Sequence, residues 1–306
     1  MRSLLIFTLV GVGAQLVDGA LGMAFGVTAS TLLVLSGVGA AQASAAVHLA
    51  EVGTTLASAV SHWRFKNIDW SIVLKLGVPG AVGAFLGATV LSSLSTESAA
   101  PLMAAILLLI GIYVLLRFSL RTPPVLRPGG AAHTAKFLTP LGLFGGFIDA
   151  SGGGGWGPVT TSTLLSQGKA APRTVIGSVN ASEFLVAGSA SLGFVVGLRQ
   201  EFLANMPVVL GLAAGGILAA PIAAWLVSRI SPSLLGTGVG GVIVLTNSQK
   251  LVHHFGVQWP WSTAVYVSIL VAWAGLAFYA WRVSRFSQQR LEVDVPDVSR
   301  QPESVG

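Results

Sequence analysis

The fold class this sequence predicts is an all-α polytopic membrane protein made of two inverted repeats, and three observations predict it. Apolar runs near the length of a bilayer-spanning helix recur along the 306 residues, 53% of which are hydrophobic and only 9% charged; mean hydropathy is +0.78. Runs of that kind read as membrane helices. The second half of the chain repeats landmarks of the first. Finally, once the spans are laid out, fourteen of the seventeen Lys and Arg residues fall on one side of the membrane.

The elements follow in order. The first repeat (1–118) opens on "MRSLLIFTLVGVGAQLVDGA", which has the outline of a signal peptide. A related segment recurs mid-chain, where no signal peptide belongs, so the segment is read as structural. Leu4 to Val17 is apolar for about 14 residues, or roughly 21 Å of helix. A break at "DGALGMAFG" (Asp18 to Gly26) precedes about eleven more apolar residues, to Ser36. Neither piece crosses a hydrocarbon core of about 30 Å, and together they are too long for one span. A helical hairpin entering and leaving on the same side fits. Spans at 41–62, 72–94 and 99–118 complete the repeat.

A cytoplasmic linker (119–135) leads to the second repeat (136–256). Its hairpin, Lys136 to Gln167, breaks at "DASGGGGWGP" (Asp149 to Pro158). Spans at 173–197, 203–228 and 232–255 follow. An extra helix (262–283, within 257–283) and a polar tail (284–306), expected to be disordered and cytoplasmic, end the chain.

The two halves align in order. Asp18 to Gly26 matches Asp149 to Gly157, Leu33 falls on Leu164 and Gly37 on Gly168. "VHLAE" (Val47 to Glu51) meets "VNASE" (Val179 to Glu183), and Val73 to Ala88 meets Val209 to Ala224. Internal repeats are common in secondary transporters. Three crossings per half is odd, so the second half is expected upside down. Placing the Arg64/Lys66 loop inside leaves only Arg2, Arg199 and Lys250 outside. The net charge of +6 therefore reads as basic cytoplasmic loops, not as a nucleic-acid surface. With no cysteine, disulfides and thiolate metal sites are excluded.

Irregular backbone at membrane depth is tolerated where it is buried in protein or lines a watery cavity. Two inverted hairpins bring their tips together near the midplane, and each tip starts a half-helix whose free N–H groups attract an anion. The expected substrate-binding set is Ser151, Gly152, Gly153, Gly154, Gly155, Trp156 and Gly157, with hydroxyls from Thr28 and Thr160 and further donors from His48 and Asn180. The competing reading is that the glycines only allow close packing, as in the Gly80, Gly83, Gly87 series. Asp18 and Asp149 are expected to cap the hairpins. Glu51 and Glu183, one turn beyond His48 and Asn180, are candidate proton carriers. Enzyme readings lack support: "GGGGWGP" has no Lys-Ser/Thr of a phosphate loop, and no His/Glu spacing suggests a catalytic metal. Neither a cofactor nor a metal is expected.

The two-repeat plan, the "GGGGWGP" element at 152–158 and the block "DGALGMAFG…VHLAEVGTTLASAVSHWRFKNIDW" at 18–70 resemble the TauE/SafE sulfite exporter family, also called the toluene-sulfonate uptake permease family. The resemblance spans about residues 4–283. It implies a transporter of the bacterial inner membrane that moves sulfite, sulfonates such as sulfoacetate, or related small anions. In the first repeat Leu21 and Met23 interrupt the glycines and Val27 replaces proline, which implies an asymmetric site held more by the second hairpin. The expected function is proton-linked export of a small sulfur-containing anion; a passive anion channel and an uptake permease for another small organic anion are the alternatives. Membrane lipid and the anion are the expected partners, with a homodimer suggested by the glycine-rich span and the unpaired last helix.

Overall fold

The structure, a computed structural model, describes residues 2–21, 23–120, 133–198, 206–227 and 232–293, and every regular element among them is helical. The first hairpin is α1 (Arg2–Leu21) and α2 (Phe25–Leu35). Then come α3 (Ala40–Arg64), α4 (Trp70–Ser93) and α5 (Thr96–Leu120). The second hairpin is α6 (Ala135–Gly152) and α7 (Ser162–Gln167), joined through a π-helical turn at Gly157–Thr161. The chain continues through α8 (Pro172–Leu198), α9 (Met206–Val227), α10 (Pro232–His254) and α11 (Trp261–Val293).

Packing between the halves is reciprocal. α1 lies along α9 as α6 lies along α4, while α3 packs on α8 and α5 on α10. Small residues permit this closeness in the absence of an aqueous driving force. A Cβ on Gly87 would fall 3.2 Å from the Cα of Phe147, and one on Gly215 would fall 2.8 Å from the amide nitrogen of Val12. The glycines of α4 therefore serve contacts inside the chain.

Both hairpins turn back. Leu35, the last residue of α2, borders a surface hollow with Ala100 and Pro101 of α5 and His253 and His254 of α10, at the end of the bundle where α5 begins. The second hairpin belongs to the opposite end. α6 runs parallel to α4, with a Cβ on Gly142 3.2 Å from the amide nitrogen of Gly80 and one on Gly87 3.2 Å from the Cα of Phe147, so α6 starts at the end where α4 starts. Lys169, just past α7, acts on His133, just before α6; burial and then this neighbouring charge hold the imidazole below its usual range. The same end carries the α3–α4 loop, where Asp69 donates its N–H to Ser178 Oγ at 2.8 Å and caps α4 by accepting from Ser71 and Ile72.

Four described helices are long and apolar enough to cross a membrane: Trp70–Ser93, Glu97–Leu120, Pro172–Leu198 and Trp261–Val283. α3 and α10, expected as spans at 41–62 and 232–255, are too polar to join them. Their polar residues point inward: Ser44, His48, Glu51 and Thr55 on α3, and Thr237 and Asn247 on α10, are buried. The last helix differs from expectation at its end, because helix continues past Val283 to Val293. Residues 294–306 of the tail and most of the linker lie outside the described residues.

Candidate functional site

Two aspartates build the two breaks in the same way. Asp18 Oδ1 accepts the N–H of Ala24 at 2.9 Å and of Phe25 at 3.2 Å. Asp149 Oδ1 accepts the N–H of Trp156 at 2.8 Å. The spacing of seven from Asp to Phe25 or Trp156 is the same in both, and each carboxylate satisfies an N–H that the start of the returning helix leaves without a partner. The backbone carbonyl of Asp149 also accepts from Gly154 at 2.8 Å, closing the turn.

The second break is shorter than the sequence suggests. α6 runs helically through Asp149, Ala150, Ser151 and Gly152, and only 153–155 leave the helix, with φ of 72°, 145° and 155°. Those angles favour glycine. The tips touch backbone to backbone: a Cβ on Gly26 would sit 2.8 Å from the Cα of Gly154, and one on Gly157 would sit 3.0 Å from the Cα of Met23. The Ser30 hydroxyl also donates across the junction to the Gly153 carbonyl.

A cavity of about 150 Å³ lies where the tips meet. Gln15, Asp18, Gly26, Glu51, Asn180 and Glu183 border it, with Gly155 and Gly157 from the second tip and an edge of Asp149. Along α3 its wall continues through Thr54, Thr55 and Ser58 toward the Arg64 end. No Lys, Arg or His is among its lining residues.

Several expected binding residues lie elsewhere, for reasons of hydrogen bonding and packing. The Ser151 hydroxyl donates to the Phe147 carbonyl, and Thr160 donates to Trp156 at 2.6 Å. Thr28 borders a different, apolar hollow between α1, α2 and α10. Gly152, Gly153 and Gly154 are filled against Ile106, Met103 and the Gly26–Val27 backbone. Trp156 is fully buried, its ring against Gly80 and Gly145 and its indole N–H on the Val179 carbonyl at 3.3 Å. Close packing thus explains three of the four consecutive glycines.

His48 is also behind the cavity wall. Its Nδ1 lies 2.8 Å from the Ser44 carbonyl and its Nε2 lies 3.0 Å from Asp149 Oδ2. A carbonyl only accepts, so Nδ1 carries a hydrogen, and one further proton lies between Nε2 and the carboxylate. Whichever atom holds it, the pair is neutral overall. His48 therefore fixes the second tip from α3, while Ser44 donates to the Ala150 carbonyl at 2.6 Å. Asn180, its counterpart, instead donates to Ser58 Oγ at 3.2 Å and faces the cavity.

With Asp149 matched by His48, the cavity presents Asp18, Glu51 and Glu183. Glu51 is 4% exposed and its Oε2 has no hydrogen-bond partner. Sequence reasoning missed Gln15, Thr54, Thr55 and Ser58 as lining residues. Thr54 and Ser58 were findable, since they continue the helical face of Glu51 at steps of three and four.

The sulfite exporter TauE/SafE family pattern matches residues 7–249. The chain is also 48% identical over 272 residues to the probable membrane transporter protein YtnM of Bacillus subtilis (strain 168), covering 89% of each chain. No solved structure matches it.

Proposed function

From the premise that this chain belongs to the sulfite exporter TauE/SafE family and is a membrane transporter, we propose that it exports sulfite or a small organosulfonate by proton-linked alternating access of two inverted repeats. The observation carrying this reading is the cavity between two Asp-capped breaks, bordered by amide donors and by carboxyl groups with no Lys, Arg or His among the described lining residues. The sulfite and sulfonate groups themselves offer acceptors and negative charge. Gln15 and Asn180 supply side-chain N–H groups, and the first turns of the returning helices supply backbone N–H groups at Gly26 and Gly157. A carboxyl group at Glu51 or Glu183 adds a donor only when it carries a proton; ionised, it repels the guest. Anion and proton are thereby linked by electrostatics.

Asp18 and Asp149 hold the tips, and His48 positions the second one. The cavity wall runs toward the Arg64 end, which the distribution of Lys and Arg assigns to the cytoplasm, so loading from the cytoplasmic side follows. In proteoliposomes with an imposed pH gradient, the protein is expected to move sulfite or sulfoacetate, and Glu51→Gln and Glu183→Gln are expected to lose the pH dependence of flux. Absence of flux for both anions defeats the substrate assignment. Unchanged pH dependence in both variants defeats the coupling assignment.

A further inference from the structure

The sulfonate reading leaves Glu51 unanswered. Its side chain is almost wholly buried and aimed into the cavity, Oε2 has no partner, and Oε1 lies so close to the first tip that a Cβ on Gly26 would approach it to 2.9 Å. Glu183 and Asp18 border the same space, and Asp149 is already matched by His48 and Trp156. A guest with acceptors alone satisfies this wall only when the carboxyl groups bring protons of their own. A guest that brings N–H donors and positive charge meets it with groups of its own.

We propose that the preferred substrate class is a small zwitterion, an ammonium and a sulfonate separated by a short carbon chain. The inference rests on the reading of the cavity as a sulfonate site and adds the second group. The ammonium has three donors, one each for Glu51, Glu183 and Asp18, and its charge offsets one of the three carboxylates. The sulfonate meets the donors that border the same cavity between those carboxyl groups, Asn180, Gln15 and the first-turn N–H groups of Gly26 and Gly157. The size is consistent: a cavity of 150 Å³ takes up a guest of about the bulk of benzene. In this arrangement the substrate carries the positive charge that a bare anion must borrow as a proton.

Two nearly isosteric compounds test it on the purified full-length protein: 2-aminoethanesulfonate and 2-hydroxyethanesulfonate, with sulfite and 3-aminopropanoate as further arms. Affinities are read by calorimetry and thermal shift. Charge-assisted hydrogen bonds of this kind predict that the amino compound binds at least about tenfold tighter. In Glu51→Gln that ratio is expected to shrink to about threefold or less, and Glu183→Gln repeats the measurement should the first variant fail to fold. Equal affinity, or preference for the hydroxyl compound, overturns the zwitterion proposal and leaves the sulfonate reading intact. Binding of 3-aminopropanoate with neither sulfonate overturns the sulfonate reading and supports the ammonium site. Binding of none of the four compounds overturns both.

Discussion

At the scale of single residues, Asp18 and Asp149 hold equivalent positions and make equivalent caps, yet only Asp149 is bonded to a buried histidine. Removing each carboxylate separates the two roles. Asp18→Ala removes a cap and is expected to reduce stability by about 1 kcal/mol. Asp149→Ala also strands His48 inside the protein, where breaking a buried pair typically costs about 3 kcal/mol or more. Melting of the two variants in detergent should place Asp149→Ala well below Asp18→Ala; equal midpoints would show that the His48 contact contributes nothing. The capping role was legible in the sequence because Asp precedes each break at the same spacing. That His48 faces Asp149 across 101 residues was not legible, because helical periodicity gives a face and not the partner packed on it.

At the scale of elements, the breaks are made by packing as much as by backbone freedom. Gly154 combines a φ of 145° with direct contact against the Gly26–Val27 backbone, whereas Gly37 has a φ of 88° and open space around it. Gly154→Ala therefore meets both strain and overlap, and is expected to lose about 3 kcal/mol with little folded protein recovered. Gly37→Ala meets strain alone, about 1 kcal/mol. Yields of monodisperse protein after size-exclusion chromatography distinguish them, and equal yields would mean that the tips are looser than described. The sequence showed that something must interrupt 149–158. It did not show that the helix persists to Gly152, because helix propensity is a weak prior once neighbours such as Ile106 fill the space a side chain would need.

At the scale of the whole molecule, the reciprocal pairing of α1 with α9 and α6 with α4 gives each half a clasp on the other. Apolar runs and positive charges made the helices readable, including α3 and α10, whose inward polar faces leave them less apolar than the four helices long and apolar enough to cross a membrane. Orientation is testable because the chain has no cysteine of its own. Single cysteines at Ser95 and Gln258 are expected to react with a membrane-impermeant maleimide in intact cells, and those at Lys66 and Lys169 only after permeabilisation. Labelling at Lys66 in intact cells would reverse the orientation. The neutral His48–Asp149 pair has one more consequence. Because it carries no net charge whichever atom holds the proton, it does no electrical work if the second tip moves in the membrane field. Voltage, worth about 2.3 kcal/mol per elementary charge at 100 mV, then acts through the cavity carboxylates Asp18, Glu51 and Glu183 and through the charge of the guest.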